Sequence, residues 1–118
     1  MKLVLVYITA ASRAEARRLG HALLSERLVA CVNLIGPIES HYWWLGRLET
    51  SSEWMLLAKT RAALAKVVIT RVKELHSYKT PCVVTLPLQN GNQDFLKWIA
   101  AETQPLINRG VRRASRSG

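Results

Sequence analysis

The sequence has little of several things that common protein classes need. Only two cysteines, Cys31 and Cys82, occur in 118 residues, too few for a disulfide framework or a four-thiolate zinc site. Both lie in apolar, strand-like runs, so we expect buried thiols. A single aspartate, Asp94, leaves paired-carboxylate catalysis to scattered glutamates, and no nucleophile triad or glycine-rich phosphate loop is recognisable. We therefore expect a protein that is not an enzyme.

Long hydrophobic runs are also missing. The uncharged run from Leu28 to Ile38 is eleven residues long, which is too short to span a bilayer. The apolar run at 2–9 superficially resembles a signal sequence, but Ser12 and Glu15 follow it in the pattern of a reciprocal helix cap. A first strand is therefore the better interpretation, and we expect a cytoplasmic protein with no membrane partner.

The net charge of +9 is concentrated at the C-terminus. Four arginines in the last ten residues leave +5 for the rest of the chain: Arg109, Arg112, Arg113 and Arg116. Because 108–118 lacks hydrophobic periodicity, we predict a flexible basic tail after a single domain at 1–107. Such a tail can hold phosphates without sequence specificity. Nucleic-acid binding is therefore an alternative, but a solubilising end is the favoured interpretation.

The hydrophobic pattern predicts the order of the elements. Strand segments are expected at 2–9, 28–35, 38–45, 47–59 and 82–88, with a turn at Gly36-Pro37. Helices are expected from Ser12 to about Arg27, from a cap at Thr60 to His76, and from Gly91-Asn92 onward. The order strand, helix, strand, strand, helix, strand predicts a ferredoxin-like α+β sandwich, a four-stranded antiparallel sheet with both helices on one face.

Aromatic residues concentrate in the predicted hairpin, whose two strands meet at Gly46. Three of the four tryptophans lie within twelve positions there. Large rings on both faces of a hairpin need more cover than one small domain provides, so Tyr42, Trp43 and Trp54 are predicted interface residues. The uncovered face of the predicted sheet is also apolar almost throughout, which favours a closed oligomer.

Six sequence blocks resemble the CutA family of divalent-cation tolerance proteins over residues 3–103. The blocks lie at 12–16, 26–35, 40–49, 59–61, 76–81 and 91–99. The resemblance implies a homotrimer of ferredoxin-like subunits, similar in shape to the PII signalling trimers, with clefts between subunits. It also implies a role in divalent-cation tolerance that depends on binding.

The resemblance further implies copper or another divalent metal. The family's copper ligands are a cysteine and two adjacent histidines, and those positions hold Ile8, Leu75 and His76 in this sequence. One imidazole is not a site, because soft copper coordination needs two or three converging donors. We predict His76 as a candidate metal ligand and Cys82 as a second one, in a site that other copies around a trimer axis would complete. The alternative for His76 is an imidazolium at the negative end of the second helix, and the favoured interpretation of Cys82 is a buried inert thiol.

A second function is a PII-like sensor of a small molecule or anion. Trp44 and Tyr78 are candidates to line the cleft between subunits. Lys59 precedes the helix predicted to begin at Thr60, so its charge beside free helix amides would suit a small anion. The alternative for Lys59 is a surface ion pair with Glu53 or Glu49.

Overall fold

The computed structural model describes residues 2–105, so the predicted tail at 108–118 and the end of the predicted domain lie outside the described residues. The elements are β1 (Leu3–Ala10), α1 (Arg13–Ser25), β2 (Cys31–Trp44), β3 (Arg47–Arg61), a 3₁₀ turn (Ala62–Leu64), α2 (Ala65–Leu75), β4 (Val83–Leu88) and α3 (Gln93–Glu102). The strands form one antiparallel sheet in the order β2-β3-β1-β4. This confirms the predicted ferredoxin-like fold.

No helix within 2–105 is long and apolar enough to cross a membrane.

The core lies between the sheet and the pair α1 and α2. β1 is a central strand, and its even-numbered residues from Val4 to Ala10 are buried toward the helices. They meet the apolar stripes of both helices, formed by Ala16, Leu19 and Leu23 of α1 and Val68 and Val72 of α2. Each large aliphatic side chain buried here stabilises the fold by roughly 1.5–3 kcal/mol. The sheet and both helices therefore depend on one another.

α1 begins at Ser12 as predicted, but its second capping contact differs. The Ser12 hydroxyl accepts a hydrogen bond from the Glu15 amide at 3.1 Å. The Glu15 carboxylate does not return to the Ser12 amide; it accepts from the Ala11 amide at 3.0 Å and also from Ser77. The predicted reciprocal cap is wrong in this detail, because Ser77 holds the carboxylate close to the end of α2.

Gly36-Pro37 does not form the predicted turn. β2 begins at Cys31 and continues through both residues, with a bulge at this point in its pairing with β3. Pro37 has no amide hydrogen to donate, and β2 is an edge strand, where a missing bond is tolerated. Gly36 is needed for packing: a Cβ at this position would lie 2.8 Å from Cε3 of the Trp54 ring.

Thr60 does not cap the second helix. It lies near the end of β3, opposite Val4 of β1, and is fully buried. Its hydroxyl donates to the Leu28 carbonyl at 2.6 Å. The helical turns begin only after Arg61, without a side-chain cap. Threonine is common both at helix caps and in strands. Here its pairing with Val4 of β1 places it in a strand.

β2 and β3 extend beyond the rest of the sheet as a hairpin that we call the arm, residues 38–53. Its two-residue turn has Leu45 at φ 50° and Gly46 at φ 76°, the pattern of a tight hairpin turn. The arm raises the radius of gyration to 15.4 Å, against about 13 Å for a compact domain of this size. Apolar side chains are exposed along it, namely Tyr42, Trp43, Trp44, Leu45 and Leu48.

The sheet face opposite α1 and α2, here called the open face, is covered in part by α3. Ile99 of α3 is fully buried outside the main core. Arg61 at the end of β3 donates to the Thr103 hydroxyl, just after α3, at 2.9 Å. Apolar side chains remain exposed on the same face beside α3, namely Ile35, Val84 and Leu86. One chain alone therefore leaves part of an apolar sheet face in contact with solvent.

Candidate functional site

A groove of about 560 Å³ lies where the arm leaves the open face. All three tyrosines of the chain line it, together with Trp44. Tyr7 comes from β1, Tyr42 and Trp44 come from the arm, and Tyr78 comes from the loop between α2 and β4. We call this feature the tyrosine groove. Four aromatic side chains that are distant in sequence thus converge on one small cavity.

The register of the sheet explains this convergence. Alternate residues of a strand point to the same face, so Tyr7 shares the open face with its partner Leu57 in β3. Glu53 lies four residues before Leu57 and therefore points to that face as well. In the arm, Tyr42 and Trp44 lie two residues apart on one strand, so they also share a face. The sheet thus presents aromatic rings and one carboxylate together.

That carboxylate is buried. Glu53 is only 7% exposed, and the Tyr78 hydroxyl donates to its Oε2 at 3.0 Å. Within residues 2–105, no lysine, arginine or histidine nitrogen lies within 4.0 Å of Glu53. Burying a carboxylate without a counter-ion is costly. Glu53 is therefore a charge that the described part of one chain leaves without a cation.

Three groups beside Glu53 have a raised pKa. Burial is the main cause for Tyr78, whose pKa rises to about 12, and its hydrogen bond to Glu53 adds to the shift. Partial burial likewise raises the pKa of Tyr7 and of the Cys82 thiol, which is still exposed in part, and the negative charge of Glu53 contributes to both shifts. Each shift disfavours the anionic form. The groove therefore opposes additional negative charge.

His76 positions the loop that carries Tyr78. Its side chain is fully buried; Nε2 donates to the Thr9 carbonyl at 2.7 Å, and Nδ1 accepts from the Tyr78 amide at 3.0 Å. Because a carbonyl only accepts and an amide only donates, the ring is the neutral tautomer with its hydrogen on Nε2. The His76 and Tyr78 rings also pack with centroids 4.8 Å apart. Both nitrogens thus hold the loop in place.

Glu15 anchors the same loop from α1. Its carboxylate accepts from the Ser77 amide at 2.7 Å, from the Ser77 hydroxyl at 2.9 Å and from the Ala11 amide at 3.0 Å. Burial by itself raises the pKa of Glu15, but the hydrogen bonds from Ser77 and Ala11 outweigh it, so the net pKa is lowered. The ionised carboxylate is therefore the form that fits this site.

Residues 4–102 match the family model described as CutA1 divalent ion tolerance protein. The chain belongs to the CutA family. The divalent-cation tolerance protein CutA of Archaeoglobus fulgidus is 44% identical over 94 residues, covering 80% of this chain and 91% of that protein. The crystal structure of CutA1 from Oryza sativa has a TM-score of 0.86 at 38% identity, covering 88% of this chain and 95% of that chain.

A second solved structure, the CutA1 protein of Thermus thermophilus, has a TM-score of 0.84 at 38% identity, covering 86% of this chain and 99% of that chain. The chain spans 57% of the rice protein named Protein CutA 1, chloroplastic. The CutA resemblance carried by the six sequence blocks is thereby confirmed over nearly the whole folded length.

The metal ligands predicted from the CutA resemblance do not form a site within one chain. Among residues 2–105, no three side chains of the His, Cys, Asp and Glu types are grouped to hold a metal ion. His76 has both nitrogens in hydrogen bonds. Cys82 precedes β4 and is exposed, so the buried thiol expected there is wrong; Cys31 is half-buried. A metal at His76 would have to displace one of its bonds.

Of the predicted cleft residues, the structure brings two together. Trp44 and Tyr78 both line the tyrosine groove, and Lys59 does not. Lys59 lies in β3 rather than beside a helix, and its Nζ donates to Asn33 Oδ1 at 2.7 Å. The predicted anion site at Lys59 is wrong because the helical turns begin only after Arg61. Its alternative pairing with Glu53 or Glu49 is also wrong, because its ammonium group bonds to the adjacent strand β2 instead.

The predicted interface residues fall into two groups. Trp43 is 73% exposed and Tyr42 is 40% exposed, so both remain available to a partner. Trp54 instead packs against its own core and Gly36, with the Arg13 guanidinium 5.6 Å from its ring. Trp54 therefore contributes mainly to the packing of its own chain.

Tyr7 and Glu53 are groove residues that sequence reasoning missed. One signal was available: the chain has only three tyrosines, and each occurs in a different predicted element. Glu53 follows a polar run and precedes Trp54 and a strongly apolar stretch, a pattern that indicates the boundary of a buried strand. Only the pairing register shows that it faces the tyrosines.

Proposed function

We propose that this chain acts in divalent-cation tolerance as a homotrimer, and that it acts by binding rather than by catalysis. The observation that carries the proposal is the family match over residues 4–102, together with relatives named for divalent-cation tolerance. The tyrosine groove supports a binding role, because aromatic side chains and a few polar groups line it, as is typical of ligand sites.

The exposed apolar surface supports the homotrimer. Part of the open face and the end of the arm around its turn are apolar and exposed in one chain, and such patches mark association surfaces. A closed ring of copies would cover the exposed apolar surface outside the tyrosine groove and would also protect the edge strands. Tyr42 and Trp43 are the residues we assign to contacts between subunits.

Copper or another divalent metal is the proposed ligand of the assembled protein. Since one chain does not bring enough donors together, ligands from more than one copy are needed, with Cys82 as the accessible candidate and His76 as the buried one. Calorimetric titration of copper and zinc tests this proposal. Saturable binding in the micromolar range that Cys82→Ser abolishes supports it, with Cys31→Ser as the matched control. Absence of saturable binding to the wild-type trimer refutes it.

A cytoplasmic location is part of the same proposal. The solved CutA structure from Archaeoglobus fulgidus is described as a periplasmic protein, so location needs a direct test. Fractionation of cells that express this chain separates the two compartments. Recovery of the chain in the periplasmic fraction contradicts the proposal.

We also propose a second function, the binding of a small molecule in the tyrosine groove. The observation that favours it is the convergence of Trp44 and Tyr78 on a cavity of about 560 Å³, within the range of roughly 300–1,000 Å³ typical of ligand sites. A metabolite panel tested by thermal melting checks this function. A metabolite that raises the melting temperature supports it, and a panel that leaves the melting temperature unchanged counts against it.

A further inference from the structure

We propose that the tyrosine groove binds a small primary ammonium compound, with its NH₃⁺ group held by Glu53 among the tyrosine rings. This inference rests on the small-molecule function proposed above, and it specifies the class of ligand. Three features of the groove support it: a carboxylate with no cationic group within 4.0 Å among residues 2–105, aromatic side chains in the same lining, and an acceptor oxygen that has no donor in the described part of the chain.

The first feature is the charge of the groove. Glu53 is more than nine-tenths buried and has no cationic partner within residues 2–105. A ligand cation would provide the missing counter-ion and would lower the cost of burying this carboxylate. An anionic ligand would instead add a second negative charge beside this buried carboxylate, and like charges at such short range repel each other.

The second feature is the set of aromatic rings. Tyr7, Tyr42, Trp44 and Tyr78 line the same cavity as Glu53. The faces of tyrosine and tryptophan rings attract cations, by about 0.5–1 kcal/mol at exposed sites and about 2 kcal/mol or more where water is excluded. Rings of this kind add little attraction for a carboxylate or phosphate. The groove therefore favours an organic cation.

The third feature distinguishes a primary ammonium from a quaternary one. Tyr78 donates to Oε2 of Glu53, and among residues 2–105 no group donates to Oε1. An acceptor oxygen in a buried site needs an N–H or O–H donor. A primary ammonium carries three N–H groups, whereas a quaternary ammonium carries none. We therefore expect primary amines to bind more tightly than tetramethylammonium.

Lys79 also lines the groove and is exposed. Its positive charge would repel a simple amine but would attract a ligand that carries a carboxylate at its other end. The groove is thus matched to a compound with an ammonium group for Glu53 and a carboxylate for Lys79, as in a free amino acid. Among primary amines, we expect amino acids to bind most tightly.

Calorimetric titration of the assembled protein at neutral pH and low ionic strength tests the inference. The probes are n-butylammonium, 4-aminobutyrate, butyrate, 1-butanol and tetramethylammonium. We expect saturable binding of the first two and no binding of butyrate or 1-butanol. Glu53→Gln should weaken amine binding about tenfold or more, because it removes a charge-assisted hydrogen bond. Glu74→Gln removes the same charge from the exposed surface of α2 and should leave affinity unchanged.

Several results would overturn the inference. Failure of both amines to bind the wild-type protein does so without depending on any variant, and so does equal affinity in Glu53→Gln. If Glu53→Gln changes the mass of the assembly, the carboxylate is paired with a neighbouring copy and the inference is wrong. If the metabolite panel yields only anions, the small-molecule function stands and the ammonium assignment fails; if it yields no ligand, both fail.

Discussion

Glu15 offers the sharpest test of how this fold is held together. Its Oε1 accepts from the Ala11 amide and the Ser77 hydroxyl, and its Oε2 accepts from the Ser77 amide. In Glu15→Gln, one carboxylate oxygen becomes an NH₂ group, which cannot accept. At least one buried N–H then lacks a partner, and the remaining bonds lose the charge of the acceptor.

The cost follows from the energy of such bonds. A hydrogen bond to a charged group contributes roughly 1.5–3 kcal/mol, and a buried donor left without a partner costs about 1–3 kcal/mol. We therefore expect Glu15→Gln to lower the free energy of unfolding by about 3 kcal/mol per chain at neutral pH. Ser77→Ala removes only the hydroxyl bond and should cost about 1 kcal/mol.

The effect of pH gives an independent check. The pKa of Glu15 is lowered from its usual value of 4.5 in the folded protein. A carboxyl group whose pKa is lower in the folded than in the unfolded protein stabilises the fold when it is ionised. This stabilisation is fully present above the unfolded-state pKa, and it is lost as the pH falls through the folded-state pKa. The difference between wild type and Glu15→Gln should therefore shrink as the pH is lowered below about 4.5.

Urea unfolding at a fixed protein concentration measures these differences, because assembly makes apparent stability concentration-dependent. Glu74→Gln, an exposed carboxylate on α2, is the matched control and should change stability little. Equal stability of wild type and Glu15→Gln at neutral pH would refute the assigned role of Glu15. A difference between them that stays constant down to strongly acidic pH would refute the assigned charge.

Three further predictions concern packing, turn geometry and ionisation. Gly36→Ala should lower the free energy of unfolding by about 1–3 kcal/mol, because its Cβ meets the Trp54 ring; denaturation measures this, and unchanged stability contradicts the close contact. Leu45→Asn should raise the free energy of unfolding by about 1 kcal/mol, since asparagine before Gly46 tolerates positive φ better than leucine; a lower melting temperature would show that the Leu45 side chain is needed. Tyr78 should ionise near pH 12, so ultraviolet titration of Tyr78→Phe should lose part of the absorbance change that the wild-type protein shows near that pH; an unchanged curve contradicts the assignment.

Much of the fold could be predicted from the sequence, because local patterns and tertiary packing agree over most of it. The cap at Ser12, the apolar stripe with Val68 and Val72, and the hairpin turn at Gly46 all lie where the pattern placed them. The errors occur where a residue type suits two environments. Thr60 fits a helix cap as well as a strand, and only its pairing with β1 decided between them.

The candidate site was less predictable, for a physical reason. A groove forms from residues that are distant in the chain, and its members depend on strand register rather than on local pattern. The CutA resemblance indicates Trp44 and Tyr78, but the sequence offers Glu53 only as a partner for Lys59. Lys59 instead donates to Asn33 on the adjacent strand. No local signal in the sequence shows which side chains will meet a buried carboxylate.

The solution mass of the purified protein tests the central claim most directly. Light scattering at micromolar concentration should give a particle of three times the 13.3 kDa chain mass, in which the copies cover one another's exposed apolar surface outside the tyrosine groove. A stable, monodisperse particle of 13.3 kDa would contradict the account, because the exposed apolar surface would then have no partner.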